Sequence, residues 1–203
     1  VGDLGLDMRK CRSGASIFII ADRIELYPEE CYEKGLTLVT STIRQKGLDQ
    51  VTPGVKSLNY LANILARAEA TAAGAQEAIL LNAAGHVSEC SGDNIFYVKK
   101  GEIFTPPTSA GILAGVTRQV VMELCADKLG NKVVERNFPR YDLYSADEVF
   151  LTGTGAEVIP AVKIDGRKIG KGAAGPTTKT LIGHFRDYAN SSGTPVYETV
   201  KAK

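Results

Sequence analysis

The sequence predicts an α+β fold: a mixed, barrel-like sheet with flanking helices. Three observations carry this reading. Short runs of strand character outnumber helical ones, they fall into meanders and hairpins, and only three segments hold a long helical period. A regular alternation of strand and helix would instead predict a doubly wound parallel sheet.

The elements follow in order. Residues 16–21 (SIFIIA) and 36–41 (LTLVTS) read as buried strands, and QKGLDQVTPG as a polar turn region. A helix is predicted from about 57 to 73, broken by Gly74. Leu58, Leu61, Ile64, Leu65, Ala68 and Ala72 recur at three- and four-residue steps, as a core-facing stripe does. EAILLN (77–82) is a buried strand. HVSEC and NIFYVKKGEIFTP form a meander that turns tightly at Lys100-Gly101. Val116 to Leu129 reads as an amphipathic helix ended by Gly130. KVVERN is a short strand, YDLYSA a helical turn and EVFLTGTG a strand running into a Gly/Thr-rich turn. VIPAVKIDGRKIG is a hairpin around Asp165-Gly166, and PTTKTLIGHFRDYAN is a helix with Pro176 near its start. The sequence shows neither internal repeats nor low-complexity tracts.

Bulk properties narrow the function. The chain has 203 residues, 44% hydrophobic and 23% charged, with a net charge of +1. That balance indicates neither nucleic acid nor an anionic membrane as partner, so any bound anion must be held by local geometry. No apolar run approaches the roughly 18 residues that span a bilayer. The four cysteines, Cys11, Cys31, Cys90 and Cys125, form no CxxC pair, and His86 and His184 lie far from metal-ligand spacing. Reduced cysteines in a cytoplasmic protein are expected. The opening VGDLGLDMRKC reads as the middle of a fold, so the chain is expected to be a fragment. Residues 1–45 would be the remnant of a smaller N-terminal domain and its linker, and 46–203 a cofactor-binding domain.

Four features could carry chemistry. Lys56 sits just before the apolar helical stripe, with Tyr60 four residues on. If the helix included Lys56, the two side chains would share a face about 5–6 Å apart at Cβ. A lysine there is either a snorkelling surface residue or an amine set aside for covalent chemistry. Glu89 shares a strand face with Val87 and is either a structural ion-pair member or the partner of a buried cation. Ala114-Gly115-Val116-Thr117 opens a helix, whose N-terminal N–H groups favour an anion, with a hydroxyl beside them. TGTGAE (152–157) ends a strand with two glycines and two threonines that could cradle an anion or form an ordinary turn. Together, an amine able to form a Schiff base, a carboxylate, a phenol and two amide-rich cradles fit pyridoxal 5′-phosphate (PLP).

KSLNYLANILARAEA, EAILLNAAGHVSECSGDNIF, TPPTSAGILAGVTR, DLYSADEVFLTGTGAEVIP and KIDGRKIG occur in an order and spacing that resemble the branched-chain aminotransferase family of fold-type IV PLP enzymes. The likeness runs along nearly the whole chain to about Asn190, and VGDLGLDMRKC resembles a stretch late in the family's smaller domain. The resemblance implies that Lys56 holds PLP and shuttles protons, Glu89 pairs with the ring nitrogen and Tyr60 bonds the ring's 3-oxygen. It implies further that Val116, Thr117 and Thr154 bind the phosphate, while the amides of Thr154 and Gly155 hold the substrate α-carboxylate. Where many relatives read GTAAE this chain reads GTGAE, so Gly155 offers the same N–H from a looser backbone. The family's phosphate-binding arginine and side-chain pocket are expected from residues preceding Val1 and from a neighbouring subunit. The implied activity is transamination of Leu, Ile and Val with 2-oxoglutarate by a homodimer or larger homo-oligomer. A D-amino-acid aminotransferase or aminodeoxychorismate lyase on the same fold, and a truncated non-catalytic domain, are the alternatives.

Overall fold

A computed structural model describes residues 7, 9, 16–22, 24 and 26–194. Most of VGDLGLDMRKC, Cys11 among it, lies outside the described residues. A short helix α1 (Glu30–Lys34) leads into β1 (Leu36–Arg44), followed by α2 (Leu61–Ala72), β2 (Glu77–Leu81) and β3 (Val87–Cys90). Then come β4 (Asn94–Lys99), β5 (Glu102–Thr105), α3 (Val116–Leu129), β6 (Val134–Glu135) and α4 (Arg140–Tyr144). The last elements are β7 (Glu148–Gly153), β8 (Glu157–Ile164), β9 (Arg167–Lys168) and α5 (Pro176–Ser191).

The strands form one sheet in the order β3-β2-β1-β8-β7-β4-β5-β6, with β9 paired to β8. It is mixed: β1 runs parallel to both β2 and β8, whereas β7 is antiparallel to β4 and β8. Connectivity makes it barrel-like. If the sheet were flat, β3 and β4 would lie five strand spacings apart, about 24 Å. Only Ser91, Gly92 and Asp93 join them, a link that spans at most about 14 Å. The sheet must therefore curl, bringing Glu89 on β3 close to Asn94 on β4.

Both faces of the central strands are buried. Ile95 and Tyr97 of β4 pack with Leu38, Ile79 and Leu151 on one side. Phe96 and Val98 pack on the other with Phe150, Val121 and Leu181 beneath α3 and α5. The hairpin turns at Lys100-Gly101 and Asp165-Gly166 have positive φ at both central residues, as a tight two-residue hairpin requires.

Three expectations are corrected. Residues 16–21 carry no regular secondary structure, and Ile17, Phe18, Ile19 and Ile20 are exposed. Apolar, β-branched composition favours a strand only where a neighbouring edge supplies a ladder. α2 begins at Leu61, four residues later than predicted, leaving Lys56 outside it. The face of α2 is also reversed: Leu58, Leu61, Ile64 and Leu65 are exposed, while Ala66 and Ala70 pack on Ala78 and Leu80. Small residues let this helix approach the sheet closely, and the bulkier stripe points away. Beyond these three, α1 is a single turn too short to show a period and was not read from the sequence, whereas α4 is the helical turn expected at YDLYSA.

Candidate active site

Lys56 sits in a turn in which the Ser57 N–H donates to the Val55 carbonyl (2.8 Å) and the Tyr60 N–H to the Leu58 carbonyl (2.9 Å). The expected helical pairing of Lys56 and Tyr60 does not arise, yet the turn brings Lys56 Nζ within 5.6 Å of the Tyr60 ring centroid. That is cation–π range. Lys46 Nζ lies 5.9 Å from the same centroid and donates to the Asn59 carbonyl.

Glu89 is buried on β3. Its Oε1 accepts a hydrogen bond from Gln45 Nε2 (2.7 Å). Its Oε2 accepts from the Leu113 N–H (2.9 Å) and from Asn94 Nδ2 (3.3 Å). All three donors are neutral. Burial pushes the carboxyl up to about 7, opposed by the bonds from Leu113 and Gln45 and by the Lys56 charge. Because the Gln45 bond holds the value down, Gln45→Leu is expected to move it further up from about 7. An NMR titration of labelled glutamate carboxyls checks this; an unshifted Glu89 resonance contradicts it.

Beside Glu89 lies a cavity of about 280 Å³ whose lining includes Lys56 and Asn94. The start of α3, with Val116 and Thr117, and the segment Thr152, Gly153 and Thr154 line it too. The first-turn N–H groups of α3 have no intrahelical acceptor and carry the positive end of its dipole. A Cβ at the N-cap Gly115 would come 2.3 Å from Asn94 Oδ1, so a larger residue there would displace the Asn94 amide. A Cβ at Gly153 would meet Asp93 Oδ1 at 2.2 Å and displace that carboxylate. Asp93 belongs to a buried cluster: the Tyr27 hydroxyl lies 2.9 Å from Asp93 Oδ2 and 3.1 Å from Glu77 Oε2, and Arg67 pairs with Glu77 at 2.6 Å. This cluster ties α2 and β2 to the wall behind the Thr152–Thr154 segment.

The structure thus gathers Lys56, Val116, Thr117 and Thr154 around one cavity. Glu89 and Tyr60 line a smaller adjoining one with Gln45, and Asn94 and Leu113 bridge the two through their bonds to Glu89. Gly155 does not line this cavity; it lines a separate one with Ile24 and Leu26.

The family model for class IV amino-transferases matches residues 1–164. The chain belongs to the class IV aminotransferase family. It is 46% identical over 198 residues to a putative branched-chain-amino-acid aminotransferase of Methanocaldococcus jannaschii, covering 98% of this chain and 67% of that one. The branched-chain-amino-acid aminotransferase of Escherichia coli K12 is 36% identical over 188 residues, or 89% of this chain and 59% of that one. The holo-form crystal structure of the Thermobaculum terrenum branched-chain amino acid aminotransferase, in its PLP form, superposes with a TM-score of 0.74 at 37% identity. That match covers 76% of this chain and 51% of that one. The chain therefore spans roughly half to two thirds of the length of these relatives, and its fold is the fold-type IV aminotransferase fold.

Gln45, Asn94 and Leu113 hold the buried carboxylate of this class IV aminotransferase chain, and sequence reasoning missed all three. Gln45 sat in what read as a polar turn, and Asn94 opened a strand. One available signal was the amide side chain of Asn94, a poor strand former, at the head of an apolar run. Gly155, which stands where many relatives have Ala, does not need to be glycine: its φ is not left-handed, and a Cβ would meet its nearest neighbour, Ile24, at an ordinary 3.5 Å. Gly155→Ala is expected to stabilise the protein by about 0.4–1 kcal/mol, by reducing the freedom of the unfolded chain. A urea midpoint at or below wild type contradicts that.

Proposed function

We propose that this chain forms the PLP-binding part of a branched-chain L-amino-acid aminotransferase. Leu, Ile or Val would give its amino group to 2-oxoglutarate, yielding glutamate and a branched 2-oxo acid. The observation that carries the reading is the convergence on one cavity of a lysine amine, a helix N-terminus and a threonine-rich strand end, beside a buried glutamate. These residues fit PLP by their chemistry. The α3 N-terminus with Thr117 and Thr154 suits a phosphate dianion, and Glu89 suits a protonated ring nitrogen. The Tyr60 hydroxyl suits the ring's 3-oxygen, and Lys56 suits covalent attachment.

When bound, PLP supplies an electron sink for the bonds at the amino-acid α-carbon. The chain's residues do the rest. Lys56 Nζ would take the α-proton and return it on the far side of the amino nitrogen, a 1,3-proton transfer. Glu89, fixed by Gln45, Asn94 and the Leu113 N–H, keeps a proton at the ring nitrogen. The family resemblance gives the substrate α-carboxylate to the backbone N–H groups of Thr154 and Gly155; Thr154 lines this cavity, whereas Gly155 lines a separate one with Ile24 and Leu26. Support for branched-chain substrates comes from the named activity of the relatives, whose lengths this chain spans only in part.

We read the setting as cytoplasmic, supported by free, buried Cys31, Cys90 and Cys125. Among the described residues no helix is long and apolar enough to cross a membrane. We read the assembly as a homodimer, supported by the exposed face of α2. Leu61, Ile64 and Leu65 fill its first half and the small Ala68 and Ala72 its second. Two copies packed antiparallel about a two-fold axis would set large residues against small ones. Assay against L-leucine, D-alanine and aminodeoxychorismate tests the substrate reading. Preference for L-leucine supports it, and preference for either of the others overturns it.

A further inference from the structure

We propose that the Thr152 hydroxyl is a phosphate-binding group of the cofactor site, a role the family resemblance does not give it and the TGTGAE motif left open between an anion cradle and an ordinary turn. The proposal rests on the PLP reading above and adds a residue to it. Thr152 lies on β7 with Asn94 opposite on one side and Val158 on the other, so the sheet engages its backbone on both flanks. The residue is 1% exposed, and its Oγ1 has no hydrogen-bond partner. Buried atoms in that state are few among the described residues: the others are Asp93 Oδ1 and Arg118 Nε. Of the three residues, only Thr152 lines the cavity.

The preceding positions of β7, Val149, Phe150 and Leu151, are apolar and buried. An apolar side chain at 152 would extend that pattern without cost, whereas a buried hydroxyl is unfavourable unless something bonds it. The same cavity presents the N–H groups of the α3 start and the side chains of Thr117 and Thr154. Every one of these groups can donate, and donors converging on one space call for an acceptor-rich anion. A phosphate monoester dianion has three terminal oxygens, each able to accept several bonds, so Thr152 on β7 and Thr154 in the turn just beyond it, both lining the cavity, can serve it together.

Thr152→Val tests this, because it keeps the side-chain shape and removes the hydroxyl. PLP and pyridoxal, which lacks the phosphate, are titrated into the cofactor-stripped protein. Thr152→Val is expected to weaken PLP by about tenfold or more, the loss of one charge-assisted hydrogen bond. It should leave pyridoxal unchanged and the cofactor-free melting temperature no lower than wild type, since a bare buried hydroxyl has gone. Thr152→Ser should bind PLP within about threefold of wild type, because the donor is retained. Thr152→Ala serves in place of Val if the latter does not fold, with the same losses expected in the two titrations. Wild-type PLP affinity in the truncated variant, or equal weakening of PLP and pyridoxal, overturns the assignment. So does a lower melting point at unchanged affinity, which marks a structural hydroxyl. If the unmutated protein takes up neither probe, the cofactor reading fails and takes this proposal with it. Failure confined to the variants leaves that reading standing.

Discussion

Lys56→Ala is expected to abolish transamination, leaving turnover of L-leucine no higher than that of free PLP. In the proposed function the Lys56 amine attaches the cofactor and moves the α-proton, and no other lysine lines the cavity. Lys46 is the nearest candidate to replace it. Its Nζ stands at the Tyr60 ring but is bonded to the Asn59 carbonyl, in the adjoining smaller cavity. The fold should survive, because Lys56 is exposed, lies outside any helix or strand and makes no buried ion pair. PLP should still bind through its phosphate at the α3 N-terminus, but without the visible band of the lysine-linked cofactor. Turnover above the free-PLP rate, in a correctly folded variant, contradicts the role.

Glu89→Gln is expected to cost on the order of 10²-fold or more in rate while keeping the fold. The carboxylate accepts three hydrogen bonds, from Gln45, Asn94 and the Leu113 N–H. A glutamine can keep its oxygen toward Leu113 and Asn94 and turn its NH₂ toward Gln45, whose amide can flip to accept. The loss in stability should then be about 1 kcal/mol, one ordinary hydrogen bond rearranged. The charge is what goes, and with it the anion facing the ring nitrogen. The pH dependence has a definite sign. In the cofactor-free protein Glu89 gains a proton as pH falls through about 7. Wild type should therefore come to resemble Glu89→Gln in PLP affinity below that pH and diverge from it above. A variant with wild-type rate and an unchanged cofactor spectrum would make Glu89 a structural residue.

Local chemistry was legible in the sequence wherever one segment determined its own structure. The helix Val116–Leu129 ends at a left-handed Gly130 as its sequence indicated, and the hairpins at Lys100-Gly101 and Asp165-Gly166 follow from their turn residues. The Lys56, Thr117 and Thr154 grouping was legible through an ordered set of motifs. What could not be read was what lies across from a residue. The period of α2 marked an apolar stripe but not which side met the sheet, so the alanine face was missed. Gln45 reaches Glu89 across 44 positions of sequence, and the TGTGAE motif drew attention to Thr152 without showing that its hydroxyl is buried with no protein partner. Such relations are created by the curl of the sheet, which joins β3 to β4 through three residues, and no local pattern records them.

The central claim is that Lys56 holds the cofactor. Loading the protein with PLP, reducing it with borohydride to fix the cofactor on whichever amine carries it, and mapping the phosphopyridoxyl mass by peptide mass spectrometry tests that claim directly. The account predicts a single stoichiometric label on the peptide containing Lys56. A label on Lys46, or one spread over the surface lysines with Lys56 unmodified, would contradict it.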